Sequence, residues 1–481
     1  MLGIARVRGL VELVGDRSNS FGIPRQASKR RTGRRSTIRK GITLARIAGV
    51  PYVFLLLSLV NQTTGVVELP KGTVSISAEV KLPSGAHDLE IRGVNTVLRA
   101  AGDFRGRAMI SCSGCRNIKI YGITLDGNRS ELAKPAELPP DDRTFAQVTQ
   151  NNAILIENTD GLTISNVRFQ NIAGFAVLVS KSSAIVIEQS RIDNSGSLNK
   201  RGRNNTTGGI LLEEGTEHFD VRKCTLKNIL GNGIWTHSLY QSKRNRDGRI
   251  HNNTFEDIGR DAIQIGHATQ INVEGNTGSR IGFPIDKVDM EGGGTPVGID
   301  TAGNVDNGRY AFNHFAEING TCIDLDGFHD GEVVDNVCIN NGKPEDYPFG
   351  HYAIVMNNTN PDMQSNHIKI IGNRIDGTKF GGIFLIGANH TVTGNLLTRL
   401  NLAHCNENTL KFSCLSFKDD PDLLQSGIYL GRGAERPGPA HDNIVEENAI
   451  SGFNMDKHCV TAAPGVKLER NRVNRNRCKG L

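Results

Sequence analysis

Apolar residues in this chain fall in short runs, at intervals too regular for unrelated strands and with no helical period. One phrase, apolar-x-x-Asn-x-apolar, recurs as HNNTFEDI, AFNHFAEI, VDNVCI, IGNRI, TGNLL and EENAI. Its asparagines are Asn166, Asn253, Asn276, Asn313, Asn336, Asn373, Asn395, Asn448 and Asn471. Several gaps are 22 or 23 residues, whereas those of 37, 37 and 53 read as one repeat plus an insertion. A second phrase, small-Ile-x-x, comes roughly 15 residues before the Asn: NGIWTHS, DAIQIGH, VGIDTAGN, TCIDLDG, YAIVMNN, GGIFLIG and SGIYLGRG. Each repeat thus holds at least two short strands separated by turns. A unit this small cannot bury its apolar face alone, but stacking on the next unit does so. The spacing of leucine-rich repeats is absent. The pattern predicts an all-β, single-stranded parallel β-helix of roughly 11–13 coils. The recurrent Asn suits a bend with left-handed torsions, its side chain bonding the next coil.

Alternate side chains of a strand face opposite ways, so the phrases can be stacked on their isoleucines. Ile210, Ile234, Ile263, Ile299, Ile323, Ile354, Ile383 and Ile428 are predicted to point inward. The next residues then point out: Leu211, Trp235, Gln264, Asp300, Asp324, Val355, Phe384 and Tyr429. Two positions on, the outward set includes Glu213, His237, Asp326 and Asn357. His267 sits at the edge of this ladder, and His329 and Asp330 follow in DLDGFHDG. The stack therefore predicts a groove with Asp300, Asp324, Asp326, His237, His267 and His329 as catalytic candidates. Glu213, Trp235, Gln264, Asp330, Asn357, Phe384 and Tyr429 are the substrate-binding candidates, with Trp235 at one end and Phe384 and Tyr429 at the other.

Asp300 and Asp324 share a column on adjacent coils, which sets their backbones about 4.8 Å apart. Two carboxylates so close repel, and one pKa rises unless a cation lies between them. A raised acid beside an ionised one is what acid–base hydrolysis of a glycosidic bond requires. Asp300 to Asp326 is a diagonal of roughly 8 Å, within the span used by inverting enzymes. A single exposed Asp on such a fold is more often merely solvated; the grouping is what points to chemistry.

Composition agrees with short strands and tight bends: 55 Gly and 5% aromatic residues. The net charge of +6 is not evenly spread. Residues 1–40 carry a basic run including Lys29, Arg30, Arg31, Arg34, Arg35, Arg39 and Lys40, and an apolar stretch follows from Ile47 to Val60. That order is read as a secretory or anchoring signal, with a hydrophobic cap helix as the alternative. The predicted division is 1–62 for this segment and 63–481 for the β-helix. The basic residues cluster in the presumed targeting segment, so nucleic acid is not expected as a partner, and a membrane only through that segment if it stays uncleaved. Nine cysteines, an odd count, fit either disulfides of an exported protein or small core residues. Insertions are expected at roughly 128–150, 196–207, 239–248, 282–297 and 398–425, where a solenoid gathers its binding loops.

The opening GVVELPKGTVSISAEVKL, followed by LEIRGVNTVLRA and IKIYGITLDGN, resembles the start of the β-helices of pectate lyases and polygalacturonases. The resemblance covers about residues 65 to 480. It implies a right-handed parallel β-helix and an exported, carbohydrate-active protein that is periplasmic, extracellular or membrane-anchored. Polygalacturonases carry an Asp on one coil and an Asp pair on the next, which here would be Asp300, then Asp324 with Asp326. Their Gly-His-Gly and Arg-Ile-Lys are absent, and Asn158-Thr159-Asp160 lies on an isolated turn. Pectate lyases need an Arg or Lys base beside calcium-binding acids; Arg260 and Arg432 are nearest, at strand ends. The Asp-Pro-His-Asp of alginate epimerases is matched only loosely by GFHDG. The expectation is a glycoside hydrolase acting on an acidic or other plant or microbial polysaccharide without a cofactor. The alternatives are a lyase or C5-epimerase on a polyuronide, which admits Ca2+ as a cofactor, and a non-catalytic glycan-binding scaffold.

Overall fold

The computed structural model describes residues 61–481, except Gly293, Thr359, 407–410, 415–419, Pro421 and 433–436. The basic and apolar segment expected at 1–62 lies outside the described residues apart from Asn61 and Gln62. Among the described residues no helix is long and apolar enough to cross a membrane.

Strands pair in parallel with the equivalent strand one coil on, so the chain winds into a three-faced solenoid. In the central coils the first face holds Ile210–Glu213 and Ile234–His237, the second Glu217–Arg222 and Asn245–His251, the third Thr225–Ile229 and Thr254–Ile258. The predicted isoleucine stack is present in register. Ile210 pairs with Ile234, then Ile263, Ile299, Ile323, Ile354, Ile383 and Ile428. The column extends to Ile154 and Val177 before them and to Val460 after. These isoleucines are at most 1% exposed and form one continuous core. Burying each contributes roughly 1.5–3 kcal/mol.

The register is held by a second set of bonds. Asn253, Asn276, Asn313, Asn336, Asn373, Asn395 and Asn448 form a buried ladder that ends on half-buried Asn476. Asn313 is typical: its Nδ2 donates to Val273 O at 2.8 Å and to Asn336 Oδ1 at 2.9 Å, while its Oδ1 accepts from Asn276 N at 3.0 Å. Three expectations are corrected here. Asn471 is not the last rung; it bonds Asn443 in a separate short ladder, and Asn476 takes the place after Asn448. Asn166 is exposed and outside the ladder, and Val167, whose N–H meets Ser190 Oγ, stands one residue on. The left-handed residue of each bend is also not the ladder Asn but the one before it, such as Asn252 (φ 55°), Phe312 (φ 57°) and Asp335 (φ 52°). The bend needs both: the first residue turns the chain, and the second satisfies the backbone groups the turn leaves open.

Eight cysteines pair as Cys112–Cys115, Cys322–Cys338, Cys405–Cys414 and Cys459–Cys478, and Cys224 is free and buried.

Replacing Asn313 with Ala would strand several buried partners at once. We expect a loss of about 2–4 kcal/mol in a urea titration. An unchanged midpoint would remove the ladder from the account of stability.

Candidate active site

The residue after each isoleucine points outward, as expected, and runs Leu211, Trp235, Gln264, Asp300, Asp324, Val355, Phe384, Tyr429. Outward does not mean exposed. The insertion at 128–150 folds Phe145–Val148 as one helical turn over Leu178, Leu211 and Trp235. Trp235 is 6% exposed, its ring 4.9 Å from Phe145. At the other end, Ala403, Cys405, Cys414 and Leu423 close over Val355, Phe384 and Tyr429. Phe384 and Tyr429 are fully buried, Phe384 stacking on Tyr352 at 3.8 Å and Tyr429 bonding Asp420. The three aromatic residues expected to grip a ligand are instead the cores of two coverings. Glu213 is corrected for the same reason: it is fully buried and accepts the N–H groups of Phe145 and Ala146, both at 2.9 Å. It anchors the covering turn; burial pushes its carboxyl up to about 7 against those bonds.

Between the two apolar coverings the column holds Gln264, Asp300 and Asp324. Asp300 and Asp324 pair in register and are half-buried, as is Asp326. Gln264 donates to Asp300 Oδ2 at 2.6 Å, and its own Oε1 accepts from Asn232 Nδ2 at 2.8 Å. It therefore orients Asp300 instead of facing a ligand. Burial first, then the charges of Asp261, Asp324 and Asp326, raise the Asp300 carboxyl well above the usual carboxylate range. The wall on the strand-entry side is laced from three insertions. Asn199 bonds Asp289 at 2.6 Å, Asn204 N meets Lys287 O at 2.7 Å, and Ala136 N meets Leu198 O at 2.9 Å.

Asp261 was missed by the sequence reading. It is 2% exposed, accepts from Val297 N at 3.1 Å, and burial pushes its pKa up to about 6 although Arg260 opposes this. It begins DAIQIGH, a phrase already in view, but sits before the isoleucine from which outward positions were counted.

The histidines separate. His237 and His267 act electrostatically on each other, and burial lowers both imidazoles to about 4. The Nδ1 atoms of both are buried with no hydrogen-bond partner. His329 does not share the face of Asp300. It lies past the turn at Gly327 on Phe328–His329, paired with Asp306, with Nδ1 2.7 Å from Asp330 and Nε2 3.2 Å from Asn304. Asp330 is exposed and also meets His367 at 3.3 Å; Asn357 is half-buried beyond Ile354–Val355. The exit wall adds two further residues not singled out from sequence. Tyr240 is 55% exposed with its ring 5.2 Å from His267, and Arg244 bonds Asn304 at 2.7 Å and Asp306 at 3.0 Å. Among the described residues no three His, Cys, Asp or Glu side chains converge in the manner of a metal site.

Residues 108–307 match the family model described as the right handed beta helix region. This is a right-handed parallel β-helix. Solved structures with a similar β-helix include PfbA, a surface adhesin of Streptococcus pneumoniae, at 17% identity, 73% of this chain, 86% of the adhesin and a TM-score of 0.54. The A-module of a mannuronan C-5 epimerase of Azotobacter vinelandii is 11% identical over 89% of this chain and 95% of the module, with a TM-score of 0.52. A tailspike protein of E. coli bacteriophage HK620, solved with a pentasaccharide, is 11% identical over 85% of this chain and 74% of the tailspike, with a TM-score of 0.56. At these identities the likeness is one of fold alone. No curated protein matches the chain.

A carboxyl whose folded pKa is raised favours the folded state below its unfolded value and loses that contribution as pH climbs through the folded one. For Asp261 the window runs from the ordinary 3.8 to about 6. Asp261→Asn keeps an acceptor for Val297 N and should stabilise the β-helix at pH 8 by up to about 3 kcal/mol. At pH 4 the gain should largely vanish. Thermal denaturation at both pH values checks this, and a lower midpoint for the variant at pH 8 would sink it.

Proposed function

We propose that this β-helix is an exported glycoside hydrolase whose acids are Asp300 and its neighbours Asp324 and Asp326. The observation that carries the reading is the in-register pair Asp300 and Asp324, half-buried on the column between the two apolar coverings. Asp300, raised by burial and by three nearby carboxyls, is the proton donor. Gln264 and Asn232 hold its orientation. In the reaction the Asp300 proton passes to the glycosidic oxygen as the bond to the anomeric carbon breaks. A water, aided by the ionised partner carboxylate, supplies hydroxide to that carbon. Asp261 supports the site indirectly, its charge opposing ionisation of Asp300.

Export is supported by the four disulfides, which persist in oxidising compartments. A glycan ligand is in keeping with the pentasaccharide of the tailspike and the epimerase module among its fold neighbours.

Reducing-end release from a polysaccharide panel tests the reading. Asp300→Asn should lower turnover by roughly 10²–10⁴-fold with the fold intact by circular dichroism. Activity of the native protein should fall as pH rises through the Asp300 value, because the protonated form is the competent one, and should survive a strong chelator. Full activity in Asp300→Asn removes the proposal. An unsaturated, ultraviolet-absorbing product lost on chelation would replace it with a lyase, and saturable binding without any product with a scaffold.

A further inference from the structure

Resting on the glycan reading of this groove but not on its hydrolytic step, we propose that the ligand is an uncharged glycan seated against Tyr240, not a polyuronide. Three carboxyls, those of Asp261, Asp324 and Asp326, act by their charge on Asp300 here. A sugar carboxylate beside them would add a like charge in a partly dehydrated groove, where repulsion is least screened. A uronate site would set a guanidinium or ammonium against that cost. Arg244, the cation of the exit wall, is committed to Asp306 and Asn304. Arg260 spends its charge on Asp261.

The remaining polar lining is neutral. Gln264 serves Asp300, and His237 and His267 are held uncharged by burial. Tyr240 adds an apolar surface. Its ring is 55% exposed, yet its loop is pinned: Leu239 N donates to Glu214 Oε1 at 2.7 Å and Ser242 Oγ to Glu214 Oε2 at 2.6 Å. A fixed, exposed ring beside uncharged imidazoles matches the C–H face of a neutral pyranose.

Calorimetric titration of the full-length Asp300→Asn protein, which binds without consuming ligand, provides the test. The probes are two pairs matched in linkage: α-1,4-galactotetraose with α-1,4-tetragalacturonate, and β-1,4-mannotetraose with β-1,4-tetramannuronate. At least one neutral tetramer should bind at least about tenfold tighter than its uronate counterpart. Raising the salt should narrow that gap by screening the repulsion. Tyr240→Ala, at an exposed position, should weaken the neutral ligand about tenfold. A uronate that binds as well as its counterpart overturns the proposal, as does Tyr240→Ala binding unchanged, or no binding by any of the four. Hydrolysis is scored separately on the unsubstituted protein, so failure of the hydrolase reading would show there and leave the charge preference measured.

Discussion

The parallel pairing of each coil with the next is the constraint on which everything else depends. It fixes a repeat of about 4.8 Å along the solenoid and sends alternate side chains to opposite sides of each strand. A slip of one residue would send Asp300 inward and Ile299 outward. The buried asparagines guard against that slip, because each is bonded both to a backbone carbonyl and to the asparagine of the next coil. Order along the stack is thus specified twice, once by apolar packing and once by hydrogen bonds that cannot be left unmade. Residues 24 positions apart in sequence, Asp300 and Asp324, become neighbours only because both devices agree.

The repeating part of the chain makes the stack, and the non-repeating part decides which portion of it meets solvent. Trp235 and Tyr429 occupy the same column as Asp300, and nothing in their own coils distinguishes them as covered. What differs is remote in sequence. Phe145 reaches Trp235 from an earlier insertion, and Ala403 and Cys405 close over the far end. Glu213 shows the consequence for charge: an acid that looks like a site residue spends both oxygens holding a covering turn in place.

This divides what could be read from the sequence from what could not. The isoleucine column and the Asp300–Asp324 pairing were legible, because they follow from spacing and alternation, which are local properties repeated many times. The fates of Trp235, Phe384, Tyr429 and Glu213 were not, because they depend on how insertions without a period fold back. Asp261 and the displaced Asn471 show a finer limit. Each lies within a few residues of a recognised phrase, and only the coil geometry says on which side of the bend it falls. His329 was misplaced for the same reason, since the turn at Gly327 carries it onto the following strand.

A solenoid whose coils touch only their neighbours can fray from either end, one unit at a time. The insertions on the strand-entry side change that behaviour. Arg201 and Asn199 hold Asp289, about 90 residues away, and Asn205 reaches Ala136, 69 residues away. These ties bypass the coils between them, as a splint bypasses the joints it spans. Opening any one coil in that stretch disturbs bonds anchored several coils off, so the middle of the molecule is bound to act as a cooperative block while its ends retain the piecemeal character of a repeat. The carboxyl pair sits at the border of that block, where mutual repulsion most needs a frame that does not yield.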